Sequence, residues 1–209
     1  MEFHKDCWLG SWLNFECMIE SKEPAMEKVW QEAEAMVAKI PPLAKMFGGG
    51  AQAFWRKACC TVTKDSPVTL QGCCVEETPT GIFAEWFGAD GKTLGCHRYV
   101  VESVVEKGLE GKPNFIFFAP DAPESWPFRY VMAMEPMPER SAREHGGLIS
   151  HVHFQYAARR EALVDDSQKL VNPMWYPTFC DAAGSLLEQC NIVRALHKLP
   201  AWDALPEQH

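Results

Sequence analysis

Between residues 61 and 156 the chain breaks into short runs of β-branched and aromatic residues set apart by turn signals. Runs at 61–63, 68–70 and 81–87 are separated by Asp65-Ser66-Pro67, Pro79-Thr80-Gly81 and, further on, Asp90-Gly91. Residues 98–105 and 114–118 flank Lys107-Gly108-Leu109-Glu110-Gly111, which reads as a hairpin loop, and further strands are expected at 128–134 and 149–156. No helical periodicity interrupts them. Strands this short, with no crossover helices, can satisfy their edges only by pairing with sequence neighbours. The spacing therefore predicts a mainly β chain, an antiparallel meander over about residues 60–156 closed or nearly closed into a barrel.

Helices are expected on either side. Residues 8–15 read as a first strand or entry segment. Ser21 takes the position of an N-cap, with Glu23 and Pro24 in the first turn. Met26, Val29, Trp30, Ala33, Met36 and Val37 then follow the three-and-four spacing of an amphipathic helix, stopped by Pro41-Pro42. A second helix over 52–58 follows Gly48-Gly49-Gly50, which gives a helical segment over about 22–58. A C-terminal helix over about 178–199 is predicted from the stripe Phe179, Ala183, Leu186, Leu187, Cys190, Val193 and Leu196. Residues 161–170 read as a short helix or loop and 200–209 as a tail, so residues 1–209 are taken as one domain.

A formal charge of −8 with no basic stripe argues against nucleic acid as a partner. No run approaches 18 apolar residues, so no membrane span is expected. The start, Met1-Glu2-Phe3-His4-Lys5-Asp6-Cys7, has neither a basic nor an apolar leader region, and a cytoplasmic location is expected. The nine cysteines are odd in number and contain no Cys-x-x-Cys. That pattern fits reduced core thiols rather than a disulfide framework or a zinc ribbon.

The chemistry concentrates in residues 143–154, which hold three of the seven histidines within nine residues. In an extended strand His151 and His153 project from one face and Val152 and Phe154 from the other. Two imidazoles about 6–7 Å apart on a strand can converge on one metal ion. Gly146-Gly147 permits a turn that could fold His145 back over the same face. Three neutral imidazoles suit Zn2+, and also other divalent transition metals. The candidates for a fourth position are His97, Glu85, His4, Cys7 or water. Spacing alone leaves two readings open: a metal site, or polar residues on a solvated strand face and loop.

The chain resembles the ZinT (YodA-type) metal-binding family through a series of features in order. These are Trp8-Leu9-Gly10-Ser11-Trp12, helices, the meander, Pro127-Phe128-Arg129-Tyr130, the histidine loop, His151-Val152-His153-Phe154 and Trp175-Tyr176-Pro177. The resemblance runs roughly from Trp8 to Leu196. It implies a lipocalin-like barrel and a metal site at His145, His151 and His153, placed near the barrel mouth. The expected function is divalent-metal binding, zinc by preference. The alternative is a metal-dependent enzyme, of lyase or hydrolase type, acting on a small molecule in the barrel pocket. There Glu85 or Tyr130 would handle protons. A third alternative is a barrel that binds an apolar ligand, with the histidines only lining it.

Overall fold

The computed structural model describes residues 2–63, 68–145 and 148–207, and of residues 143–145 the backbone alone. Eight antiparallel strands close into a barrel in chain order: β1 (Gly10–Asn14), β2 (Leu70–Thr78), β3 (Gly81–Gly88), β4 (Thr93–Val105), β5 (Asn114–Phe118), β6 (Tyr130–Met134), β7 (His151–Ala157) and β8 (Thr178–Asp181). The helices are α1 (Glu16–Ile19), α2 (Pro24–Ala38), α3 (Pro41–Met46), α4 (Ala51–Cys59) and α5 (Leu186–Leu196). Among the described residues no helix is long and apolar enough to cross a membrane.

The mainly β barrel with N-terminal helices and a C-terminal helix is the expected architecture. Its seam is not where the meander was predicted to end. β8 pairs with β7 on one side and with β1 on the other, joining the two ends of the chain. Residues 178–181 are therefore strand, and the C-terminal helix begins only after Ser185. Ser185 accepts from the Glu188 N–H while the Glu188 carboxylate accepts from the Ser185 N–H, a reciprocal cap that fixes the start of α5.

Three further expectations are corrected. Residues 61–63 are not strand, because the Thr61 N–H and hydroxyl both donate to Glu16, at 2.9 and 2.7 Å, and that N–H is lost to any ladder. Ser21 does not cap α2: Glu23 holds the N-cap position, and the Ser21 hydroxyl accepts from the Glu23 N–H. Pro41 does not only end a helix but opens the next one, where its missing N–H would have had no partner.

Alternation along the strands fills the barrel. Ile82, Ala84 and Trp86 of β3, and Val152, Phe154 and Tyr156 of β7, point inward. Trp86 stacks on Phe128 at 4.3 Å with the planes 8° apart, and Phe154 meets Phe179 at 4.3 Å. Tyr99 lies inside this packing because its hydroxyl is fully used: it accepts from Trp86 Nε1 (3.1 Å) and Trp126 Nε1 (3.3 Å) and donates to the Phe128 carbonyl (2.7 Å). Trp126 lies over Gly95, where a Cβ would come within 2.8 Å of the indole. Eight strands enclose an interior that side chains can fill, and here they nearly do so, leaving about 50 Å³.

A helical layer covers the outer wall at the seam. Met26, Val29, Trp30, Ala33 and Val37 of α2 form the predicted stripe and pack with Phe15, Met18, Ile149, Cys180 and Val193. The Glu34 carboxylate accepts from the N–H groups of Ala51 (2.8 Å) and Gln52 (2.9 Å), tying α2 to the N-terminus of α4. None of the nine cysteines is in a disulfide. Cys73 lines the lumen while Cys74 sits beside the Ser11 hydroxyl, so this adjacent pair faces opposite ways as expected of a strand; Cys59-Cys60 ends a helix instead.

Phe154→Ala should lower stability by about 3–5 kcal/mol, because it empties a filled lumen. Removing the helix-terminal carboxylate in Glu34→Ala should cost about 1 kcal/mol. Both are checked by urea unfolding at neutral pH.

Candidate metal and ligand site

Because Val152, Phe154 and Tyr156 face the lumen, His151 and His153 face out. The expected position at the barrel mouth is corrected accordingly. The pair stands on the outer wall, at the floor of a groove of about 840 Å³ that α4, α5 and the loop around Phe47 form against β7 and β8. The two rings lie 5.3 Å apart, their planes at 71°. The His151 backbone is held from both sides, by β8 at Cys180 and by a reciprocal pair of hydrogen bonds with Met137, each 2.9 Å.

His153 is oriented by β8. Thr178, its neighbour across the strands, donates its hydroxyl proton to the Tyr176 carbonyl at 2.8 Å. The Thr178 oxygen is left to accept from His153 Nδ1–H, also at 2.8 Å. Nε2 thus faces the groove, 3.2 Å from the Glu110 carboxylate. Glu110 arrives from the β4–β5 connection in the left-handed region, at φ 54°, an uncommon conformation for a residue other than glycine. Lys112 stands 3.4 Å from the same carboxylate. The bond from His153 is the main reason that the Glu110 carboxyl is held down at about 2, against the opposing effect of burial.

His151 is different. Burial, reinforced by the neighbouring His153, pushes it down to about 4, so it is neutral near pH 7. No hydrogen bond to its ring is formed among the described residues. A neutral imidazole with an uncommitted lone pair, half-buried at the floor of a groove, can ligate a metal or accept a proton.

The other sequence candidates are elsewhere. The His145 side chain lies outside the described residues; its backbone ends a 3-10 turn over Arg140–His145. Glu85 is on the outer face of β3, four strands from β7 in either direction, and accepts from Thr93 at 2.7 Å. His97 packs on Trp126 at 4.9 Å and lies 3.6 Å from Asp121, away from the groove. Tyr130 pairs with Ala157, which puts it about 20 Å along the wall from His151, stacked on Phe118. His4 is exposed, and the Cys7 thiol lies 3.9 Å from Glu135; neither lines the groove. The lumen is also corrected as a substrate pocket, since about 50 Å³ falls well short of the several hundred that small-molecule sites use.

Glu110 and Thr178 were not foreseen. In the sequence Glu110 stands only in a hairpin loop, and Thr178 at the expected start of a helix. Among the described residues no three His, Cys, Asp or Glu side chains are already gathered around one point as a metal site. The fold and site define a closed eight-stranded barrel with a polar centre on its helix-covered outer wall. No family model, curated protein or solved structure matches the chain.

The pH dependence of stability should show two windows in chelator-treated protein. His151 is depressed in the fold, so the unfolded chain takes up its proton first, and stability falls as pH drops from about 6.5 toward about 4. Glu110 is also depressed, so its contribution is present above about 4.5 and is lost as pH falls toward about 2. In urea midpoints measured against pH, His151→Gln should flatten the first window and Glu110→Gln the second.

Proposed function

We propose that the protein binds a divalent transition-metal ion, zinc by preference, through His151, His153 and Glu110, with His145 as a further candidate. One observation carries the reading: His153 Nε2 and a Glu110 oxygen stand 3.2 Å apart beside a neutral, uncommitted His151. Two ligands of a tetrahedral zinc ion, each about 2.0–2.1 Å from the metal, are about 3.3 Å apart. His153 makes its bonds to Thr178 and to Glu110 together only with a proton on each ring nitrogen; an ion would take the place of the Nε2 proton, and the Nδ1 bond to Thr178 would then give the support that metal-bound imidazoles ordinarily have. The donor set of two imidazoles and a carboxylate suits zinc and leaves a coordination position open. The resemblance to ZinT-type proteins points the same way. Since the three donors are not gathered in advance, the ion itself completes the site by drawing in His151 and releasing the Glu110–His153 pair.

The second reading, a metal-dependent enzyme of lyase or hydrolase type, is favoured by the groove, which gives a small molecule room beside the ion. A bound zinc would supply Lewis-acid polarisation or an activated water there. His151 and Glu110 would serve as ligands in either case.

Calorimetric titration of tag-free protein with Zn2+ should show one site. His151→Ala/His153→Ala should abolish it, and Glu110→Gln should weaken it at least tenfold. Binding that the double change leaves intact would remove both readings. Metal-dependent loss of one compound from a metabolite mixture, absent in the double variant, would favour the enzyme.

A further inference from the structure

The groove has more apolar wall than an ion needs. Four of the nine large hydrophobic side chains exposed among the described residues gather on it: Met46 (59% exposed), Leu148 (40%), Met174 (70%) and Leu196 (44%). Behind them Phe47, Phe54 and Trp55 make a continuous aromatic wall, with Phe47 and Phe54 4.2 Å apart. A contiguous exposed apolar surface of this kind marks an interaction site, and its concavity and size of about 840 Å³ are those of a small-molecule pocket rather than a flat docking face. Methionines on the rim, unbranched and polarisable, adapt to the occupant.

Charge selects the occupant. The chain carries −8 overall, yet the rim of this groove presents Lys45 and Lys57, both exposed and neither with an ion-pair partner among the described residues. The one carboxylate that lines the groove among the described residues, Glu110, is already occupied by His153 and Lys112. An apolar trough with unpaired ammonium groups at its edge is complementary to a molecule with one apolar chain and one negative head.

We propose that this outer groove binds a single-chain amphipathic carboxylate of the fatty-acid type, its chain along the Phe47–Phe54 wall and its head at Lys45 and Lys57. The site is separate from the lumen, which is filled, and does not depend on bound metal.

The test is titration of chelator-treated full-length protein with octanoate, decanoate and dodecanoate. Burial of methylenes is worth about fourfold in affinity each, so affinity should rise roughly fifteenfold for every two carbons added. Dodecanoate should bind one to one and far more tightly than dodecyltrimethylammonium, which has the same chain and the opposite head. Lys45→Gln/Lys57→Gln should lower dodecanoate affinity at least tenfold. Ala53→Trp, at an exposed position lining the groove, should block it, with unchanged melting curves showing that both variants fold. The proposal is overturned if dodecanoate does not bind, or if the cationic analogue binds equally well. It is also overturned if Ala53→Trp or the lysine variant binds dodecanoate like the parent.

Discussion

Everything in this molecule depends on a four-residue strand. β8 hydrogen-bonds to β1 and to β7, and without it the sheet would be an open meander with two long unpaired edges. Its register also sets parity. Phe179 enters the lumen to meet Phe154, which sends Thr178 outward beside His153 and Cys180 outward beneath the helices. Slipping it by one residue would reverse all three, exposing an aromatic ring and burying a hydroxyl. Closure and site geometry are thus one constraint.

That constraint explains why the polar centre is outside the barrel. Aromatic side chains already occupy the interior, and Tyr99 can join them because its hydroxyl has three partners. The outer wall at the seam is shielded by α4 and α5 but not filled by them. An imidazole there loses enough solvent to stay neutral while keeping a side open. Glu110 is brought in from the β4–β5 connection, which adjoins a strand two places from β7 in the sheet order, on a residue in the left-handed region between Gly108 and Gly111.

Much of the fold was legible in the sequence. The turn dipeptides and β-branched runs marked β3, β5 and β7 nearly to the residue, and the α2 stripe was read correctly because periodicity is a local property. The failures were long-range. Phe179 and Ala183 fit a helical stripe with Leu186 and Leu187, yet Phe179 lies in β8 and Ala183 in the turn after it, and only pairing with β1, far off in the chain, decides against the helix. The run expected at 68–70 meets β2 only at Leu70, and Gln71 to Thr78, with one β-branched apolar residue and no aromatic, carry too little strand signal to be read. At the site, His151 and His153 were visible as a pair because strand alternation is fixed, but which face they occupied was not. Glu110 carried no signal, since it meets His153 across the whole length of chain between them and from two strands away in the sheet, β5 to β7.

The indole of Trp126, resting on the bare backbone of Gly95, is in effect a stopper with a single seat. It belongs to the connection between β5 and β6 rather than to the wall, and its one polar tether is the Tyr99 hydroxyl. A plug supplied by a loop can be withdrawn without rebuilding the staves. Its withdrawal would bare Gly95 and the Tyr99 hydroxyl, while the inward side chains of the strands would still fill the barrel.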